Sequence, residues 1–188
     1  MRSSTYWKAV LVDRENFLER VLEFLRASGV RYCVVGGTGV NAYTYPVVTE
    51  DLDIAVAAGE IDKLEAALRR EFKVRRFAHS INVSAPQSKL QVQIQTDPRY
   101  FDFVKRAEIR EVMDFQLPVA QIEDILKGKI WAATDMARRK SKRQKDLADI
   151  ARILEVSPEL RAQVLEEHLA DELVHHRDGL AVALPLCE

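Results

Sequence analysis

The spacing of apolar and polar residues predicts helices in both the first and the last third of the chain. Apolar residues recur at helical intervals in five segments, which span residues 13–28, 60–72, 120–136, 144–155 and 158–170. Gly29 follows the first of them as a stop signal. A further helical stretch is predicted from Pro98 to residue 107, because Asp97 is a typical N-cap and proline suits the first helical position.

Shorter β-rich runs lie between these helices. They span residues 31–35, 51–57, 74–77, 81–84 and 90–94, and residues 109–119 are predicted to form one further strand. The combination favours the α/β (α+β) class, with a mixed β-sheet flanked by helices. We expect a core over residues 1–119, a helical segment over 120–170 packed on that core, and a tail over 171–188 that fits either a last strand or a frayed end.

Composition limits the class of protein. The chain has 188 residues, which is enough for one well-buried core, and its 47% hydrophobic and 30% charged residues are close to the average for soluble globular proteins. No apolar run approaches the roughly 20 residues of a membrane-spanning helix, and residues 1–10 lack the apolar centre of a secretory signal. We therefore expect a cytoplasmic protein with no membrane partner. Its two cysteines lack metal-ligand spacing.

The net charge of −1 conceals a local basic run. Six of the 28 lysines and arginines lie between Arg138 and Lys145, where there is no acidic residue. Such a run on an otherwise acidic protein is typical of a site for phosphate or nucleic acid, although it also fits a solvated helix face.

A glycine turn ends the first predicted strand. Gly36 and Gly37 follow Val34 and Val35, and glycine lets backbone N–H groups approach an anion without a Cβ in the way. A helix that starts just after the turn would add favourable potential for phosphate. The turn alone also fits plain strand-to-helix geometry.

A pair of acidic residues follows on the next predicted strand. Asp51 and Asp53 are two residues apart, so their side chains project to the same side while Leu52 and Ile54 face the core. Two like charges this close repel each other, and a divalent cation bound between the two carboxylates would offset this repulsion. Carboxylate oxygens suit Mg²⁺, whose shell a substrate phosphate can complete. The alternative is an acidic edge that faces solvent.

The combined motif resembles the signature of the DNA polymerase β-like nucleotidyltransferase superfamily. The stretch GGTGVNAYTYPVVTEDLDIAV is similar to the abortive-infection and toxin–antitoxin branch of that superfamily, and the resemblance covers residues 31 to about 155. It implies transfer of a nucleoside monophosphate from a triphosphate to a hydroxyl of a protein, an RNA or a small molecule, with pyrophosphate leaving. By the same resemblance Gly36, Gly37 and Thr38 would bind the nucleotide, and Asp51 and Asp53 would hold the metal ions.

The third carboxylate of the superfamily is missing from its usual strand. The matching strand reads Leu90-Gln91-Val92-Gln93-Ile94-Gln95, and glutamine can neither neutralise a metal ion nor take a proton. Asp97 lies two and four residues after Gln95 and Gln93, so on a continued strand it would project from the same face. It could therefore supply the missing catalytic carboxylate. Capping of the helix at Pro98 is the other interpretation of Asp97.

Two residues of the C-terminal helices are further candidates for nucleotide binding. Lys129 lies in an apolar helical stripe, where it either extends to solvent or reaches the triphosphate. Residues 138–149 resemble the arginine-rich lead into an "RxKDxxD" helix of the same families. Asp146 borders the apolar stripe that contains Leu147 and is a site candidate, with a salt bridge to Arg139 or Arg143 as the alternative, whereas Asp149 is expected to face solvent.

Two competing functions are compatible with parts of the sequence. Gly37-x-Gly39-x-x-Ala42 has the form of a dinucleotide-binding fingerprint, but Pro46 and the strand at residue 51 leave no room for a full crossover helix. A nucleotidyltransferase fold that has lost turnover and serves as a binding or regulatory module is the second, and the glutamine-rich strand favours it.

Overall fold

The computed structural model describes residues 16–167. The helices are α1 (Phe17–Ser28), α2 (Gly36–Asn41), α3 (Ile61–Leu68), α4 (Phe103–Arg106), α5 (Ile122–Thr134) and α6 (Lys140–Val156), with 3₁₀ turns at Pro98–Tyr100 and Pro158–Leu160. The strands are β1 (Tyr32–Val34), β2 (Asp51–Val56), β3 (Lys73–Arg76), β4 (Ser80–Ser84), β5 (Gln91–Gln95), β6 (Glu108–Val112) and β7 (Phe115–Val119). Residues 161–167 are also helical.

The seven strands of the described region form one mixed sheet in the order β3-β4-β5-β2-β1-β7-β6. The pairs β2–β5 and β1–β7 are parallel, and the other neighbouring pairs are antiparallel. Helices and a mixed sheet confirm the predicted α/β (α+β) class.

Strand alternation sorts the side chains of β2 as predicted. Leu52 and Ile54 are fully buried in the hydrophobic core, while Asp51 and Asp53, which alternate with them, project from the other face of the sheet. The neighbouring strand β1 is buried along its whole length, and Cys33 lies at its centre with no exposed surface. Helix α1 buries its apolar stripe, and the rings of Phe17 and Phe24 each meet Phe72 edge-on at 5.8 Å.

The predicted single strand over 109–119 is wrong, because the chain reverses in the middle of it. Strands β6 and β7 pair as an antiparallel hairpin, with Val112 opposite Phe115. The two turn residues, Met113 and Asp114, have φ angles of 53° and 67°. A two-residue turn of this kind usually carries Asn-Gly or Asp-Gly, so Met-Asp gave no sequence signal for it.

The predicted helix over 98–107 is broken into two short pieces. A 3₁₀ turn covers Pro98–Tyr100, and helix α4 begins only at Phe103. Two other helices start earlier than predicted: α2 begins at Gly36 itself, and α6 begins at Lys140 inside the basic run.

The direction of β2 excludes the dinucleotide-binding interpretation. Strands β1 and β2, which flank the glycine turn and α2, are antiparallel, with Cys33 opposite Ala55. A dinucleotide-binding β-α-β unit requires two parallel strands joined by a crossover helix. The glycine turn therefore belongs to a different kind of phosphate site or to none.

Two predictions fall on residues that the structure leaves undescribed. The N-terminal stretch over 1–10 and the tail over 171–188 lie outside residues 16–167. Between residues 16 and 167, every helix is too short or too polar to traverse a lipid bilayer.

Candidate active site

A cavity of about 560 Å³ opens beside the glycine turn and the acidic strand. Gly36 and Asp53 line one side of it, and Gln93 and Gln95 of β5 continue that wall. The opposite wall comes from α5 and from the residues around the start of α6. This volume is in the range of pockets that hold nucleotide-sized ligands.

Gly36 and Asp53 are in direct contact at this cavity. Gly36 has a φ of +61°, a conformation that L side chains rarely adopt. A Cβ on Gly36 would overlap the Asp53 carboxylate, because it would lie 2.6 Å from Cγ of Asp53. The backbone is also tied here, since Val35 N–H donates to Asp53 O at 2.9 Å. Glycine is therefore required at position 36 by both conformation and space.

The other glycines of the turn have different surroundings. A Cβ on Gly37 would make only ordinary contact with Oγ1 of Thr49 at 3.6 Å. Gly39 instead faces Cδ1 of Ile125, which a Cβ would approach at 3.0 Å, so this glycine allows α2 to pack closely against α5. The hydroxyl of Thr38 donates to Asp51 O at 2.9 Å and ties α2 to the start of β2.

Asp53 and Asp135 are the carboxylates of this cavity that have no ion-pair partner within residues 16–167. Three other cavity carboxylates are ion-paired: Asp97 with Arg99, Asp124 with Arg106, and Asp146 with Lys129 and Arg138. Within residues 16–167, neither Asp53 nor Asp51 forms a salt bridge. Burial of the carboxylate raises the pKa of Asp53 to about 6, and the charge of Asp51 adds to this rise while Lys129 opposes it.

The glutamines of β5 lie directly beside the acidic strand β2. Gln93 is the register partner of Asp53 in the parallel β2–β5 pair, and Gln95 is the partner of Ala55. Both glutamines line the cavity. Among residues 16–167 there is no cluster of three or more His, Cys, Asp or Glu residues that could hold a metal ion.

Asp97 lines the same cavity and caps the 3₁₀ turn at Pro98. Its Oδ1 accepts from Arg99 N–H at 2.9 Å, and its Oδ2 accepts from the Arg99 guanidinium at 2.8 and 2.9 Å. Burial alone would raise the pKa of Asp97, but the hydrogen bonds from Arg99 outweigh it and the pKa lies below its usual value. Asp97 therefore does what the capping interpretation predicts, and it presents an ionised carboxylate at the cavity wall.

Lys129 lies at the centre of a buried ion cluster rather than alone in an apolar stripe. Its Nζ lies 3.0 Å from Oδ1 of Asp146 and 2.7 Å from Oδ2 of Asp149, and 7% of the residue is exposed. Burial alone would lower the pKa of Lys129, but Asp149 and Asp146 raise it overall. Both Lys129 and Asp146 line the cavity.

The predicted solvent-facing position of Asp149 is wrong. Asp149 is 3% exposed, whereas Leu147, a member of the predicted apolar stripe, is 50% exposed. Helix α6 buries a different face, made of Asp146, Asp149, Ile150 and Ile153. The reason is that its two aspartates pair with Lys129 of α5, so part of the buried face is ionic. The spacing of Asp146, Asp149 and Arg152 at helical intervals was the available signal.

The basic run leads into α6 and continues through its first turns at the edge of the cavity. Arg138 lines the cavity and donates to Oδ2 of Asp146 at 2.8 Å, in place of the expected Arg139 or Arg143. Arg139, Lys140 and Lys145 are exposed. Arg143 has a structural role, because its Nε donates to Ala133 O near the end of α5 at 2.7 Å.

An aromatic cluster that sequence reasoning missed covers part of the cavity wall. Tyr100, Phe103 and Trp131 pack with ring centroids 5.2 to 5.9 Å apart, and the Arg99 guanidinium lies 4.7 Å above the Trp131 ring. Burial raises the pKa of Tyr100 to about 12, and the charge of Asp53 adds to the rise. The hydroxyl of Tyr100 is therefore protonated at neutral pH and can donate but not act as a base.

The family model described as nucleotidyl transferase AbiEii toxin, type IV toxin–antitoxin system, matches residues 17–187. The chain belongs to this AbiEii family. Membership confirms the resemblance to nucleotidyltransferases of the toxin–antitoxin type. No curated protein sequence matches the chain.

Solved nucleotidyltransferase structures share the fold of this AbiEii-family chain at low sequence identity. The solution structure of the antibiotic-resistance factor ANT(2'')-Ia is 14% identical, with a TM-score of 0.57 over 85% of this chain and 95% of that one. The antigenic nucleotidyltransferase-like protein from Paracoccidioides brasiliensis is 18% identical, with a TM-score of 0.55 over 92% and 89%. The lincosamide antibiotic adenylyltransferase LnuA is 15% identical, with a TM-score of 0.50 over 74% and 97%.

Proposed function

We propose that this chain is a Mg²⁺-dependent nucleotidyltransferase that moves a nucleoside monophosphate from a nucleoside triphosphate to a hydroxyl acceptor, as part of a cytoplasmic toxin–antitoxin system. The observation that carries the proposal is the contact between Gly36 and Asp53 at the wall of one cavity. It brings a bare stretch of backbone and an unpaired carboxylate to one place, where a triphosphate and its metal ion can both bind.

The residues present fit a divalent cation at Asp51 and Asp53. A partly buried carboxylate without a cationic partner is costly, and Asp53 is such a group, with its pKa raised to about 6. Asp51 adds a second carboxylate two residues away on the same face of β2. Bound there, Mg²⁺ would activate the acceptor oxygen and neutralise charge on the triphosphate.

The phosphates would lie against the glycine turn. The first N–H groups of a helix have no partner inside it, and in α2 these belong to Gly36, Gly37 and Thr38. Gly37 is partly exposed and a side chain would be tolerated there, so its value is the open approach to its N–H rather than a need for space. Lys129 would supply positive charge from the opposite wall, and Asp146 would hold its ammonium in place.

The transfer itself needs a base for the acceptor hydroxyl. The hydroxyl oxygen bonds to the α-phosphorus, the bond from that phosphorus to the bridging oxygen breaks, and pyrophosphate leaves with the electron pair. Gln93 cannot take the hydroxyl proton. Asp97 is ionised and lies at the same cavity, so it is the candidate catalytic base of the described wall.

The basic run favours an acceptor that carries negative charge. Arg138 lines the cavity wall just before α6, and Arg139, Lys140 and Lys145 present positive charge on the exposed surface that follows it. A nucleic-acid end fits this surface through phosphate contacts, and an acidic protein segment is the second candidate acceptor. The neighbours named for antibiotic substrates share the fold at low identity, and their substrates do not carry over to this chain.

Pyrophosphate release is the direct test of the proposed reaction. The wild-type chain would be incubated with Mg²⁺ and each of the four nucleoside triphosphates, beside the double variant Asp51→Asn with Asp53→Asn. Asp62→Asn is a matched control, because Asp62 is an exposed carboxylate outside the cavity. We expect release from wild type and control only. Equal release from wild type and double variant would refute the proposed chemistry.

A binding module without turnover is the alternative, and Gln93 is the observation in its favour. The two functions separate by calorimetric titration with triphosphate combined with the pyrophosphate assay. Binding without release in wild type supports the module. In that case Gln93→Asp, which places a carboxylate opposite Asp53, would be expected to raise Mg²⁺ affinity and to restore release.

A further inference from the structure

Arg152 joins helix α6 to the segment that follows the glycine turn. One of its terminal nitrogens donates to three oxygens of that segment: Oδ1 of Asn41 at 2.8 Å, Oγ1 of Thr44 at 2.7 Å and the backbone oxygen of Tyr45 at 2.7 Å. The other nitrogen donates to Oδ1 of Asp149 at 2.8 Å. Both terminal nitrogens are thus engaged, although Arg152 is more than 100 residues from this segment along the chain.

The segment held by Arg152 connects the two halves of the candidate site. It begins at Asn41, the last residue of α2, and leads to Asp51, the first residue of β2. Asn41 also closes a loop within the segment, because its side chain donates to Val47 O at 2.7 Å and accepts from Val47 N–H at 3.1 Å. A shift of this segment would move the glycine turn relative to Asp53.

Arg152 also determines how much charge Lys129 retains for a ligand. Asp149 shares its two oxygens between Arg152 and Lys129, and Asp146 shares its own between Arg138 and Lys129. Three cations and two carboxylates leave the cluster with one net positive charge. Without Arg152 the cluster would be neutral, and the ammonium of Lys129 would be fully compensated by its two carboxylates.

We propose that Arg152 is a positioning residue for the nucleoside triphosphate, which fixes the glycine turn against Asp53 and neutralises Asp149 so that Lys129 can attract the phosphates. The proposal rests on the proposed nucleotidyltransferase function. Arg152 itself does not line the cavity, so it acts through Asn41, Thr44 and Asp149. It is 18% exposed, which strengthens its charge-assisted hydrogen bonds relative to those of a surface arginine.

The first test compares binding of a triphosphate with binding of its monophosphate. We expect Arg152→Gln to weaken triphosphate binding by about tenfold, because the cluster around Lys129 loses one positive charge. Binding of the monophosphate, which carries less negative charge, should weaken much less. We also expect a fall in kcat of up to about 100-fold, because small displacements of reacting groups cost that much. Arg152→Lys keeps the positive charge but replaces the two terminal guanidinium nitrogens with a single ammonium. It should therefore recover the triphosphate affinity but not kcat.

The control is an arginine that has two carboxylate partners and does not line the cavity. Arg76 pairs with Asp62 and Glu65, and Arg76→Gln should lower stability without changing the ratio of triphosphate to monophosphate affinity. If Arg152→Gln leaves that ratio and kcat at wild-type values, the proposal is overturned. If Arg152→Gln does not fold, Thr44→Val removes one of the hydrogen bonds that Arg152 donates to this segment, and it should also lower kcat.

Hydrogen exchange distinguishes failure of this proposal from failure of the proposed function. In the protein without nucleotide, Arg152→Gln should speed amide exchange over residues 36–48, and Arg76→Gln should not. Unchanged amide exchange over residues 36–48 would show that Arg152 does not hold this segment in place, whether or not nucleotide binds. A wild-type chain that binds none of the four triphosphates refutes the proposed function instead, and with it the assignment of Arg152 to nucleotide positioning.

Discussion

Replacing Gly36 by alanine tests the contact on which the candidate site depends. Two costs follow from the structure. At a φ of +61° an L residue costs about 1–2 kcal/mol. The new Cβ would also lie 2.6 Å from Cγ of Asp53, so the carboxylate must move, and overpacking of this kind typically costs about 1–3 kcal/mol. Asp53 cannot move freely, because β2 is paired on both sides.

Gly29 provides the matched control for the backbone cost. Its φ is +65°, almost that of Gly36, and a Cβ there would meet nothing within 4 Å. Gly29→Ala should therefore lower the free energy of unfolding only by the backbone conformational cost, about 1–2 kcal/mol. Gly36→Ala should lose about 2 kcal/mol more, which lowers Tm by a further ~4–8 °C in a protein of this size. Gly37→Ala, with only ordinary contacts, should retain most of the stability.

Thermal and urea unfolding of the three variants give the stability comparison, and pyrophosphate release gives the functional one. We expect Gly36→Ala to lose about 100-fold in kcat/KM because the glycine turn and Asp53 separate, while Gly29→Ala keeps wild-type turnover. The reasoning is refuted if Gly36→Ala and Gly29→Ala unfold within about 0.5 kcal/mol of each other and Gly36→Ala retains turnover.

Three further expectations concern the charged residues. Because the pKa of Asp53 is raised to about 6, the metal-free protein should lose stability as pH rises from about 4 to 7. The loss is at most about 3 kcal/mol, and Asp53→Asn should abolish it. Urea unfolding in the presence of a chelator measures both. Lys129→Met should cost about 1–3 kcal/mol in urea unfolding, since it removes the cation between Asp146 and Asp149 while Arg138 and Arg152 remain paired with them; an unchanged midpoint would contradict the ion cluster. Burial alone would raise the pKa of Glu65, but Arg69 and Arg76 lower it overall, so its contribution is present above pH 4.5 and lost as pH falls further; Glu65→Gln should flatten acid unfolding in that range.

Local patterns in the sequence are sufficient to place the two aspartates on a strand. Alternation in β2 and β5 is a property of consecutive residues, so it also identifies Gln93 as a residue of the sheet. The glycine turn is recognisable because two adjacent glycines directly follow a β-rich run. That Gly36 contacts Asp53 depends on the pairing of β1 with β2, which composition and spacing do not specify.

The ionic face of α6 shows where sequence reasoning reaches its limit. Apolar periodicity locates the face that packs against other apolar side chains, and it points to Leu147. Asp149 is buried because Lys129 and Arg152 supply partners from 20 residues before it and three residues after it. The helical spacing of Asp146, Asp149 and Arg152 places them on one face of α6, but the same spacing also occurs on helix faces that are exposed to solvent.

The burial of Cys33 gives this chain a built-in reporter of opening of the core around β1. Its thiol lies at the centre of β1 with no exposed surface, and burial raises its pKa to about 12, with a further rise from the charge of Asp124. A thiol in that state hardly forms the thiolate that alkylating reagents attack. The rate at which Cys33 is alkylated will therefore follow how often the packing around β1 opens and exposes the thiol.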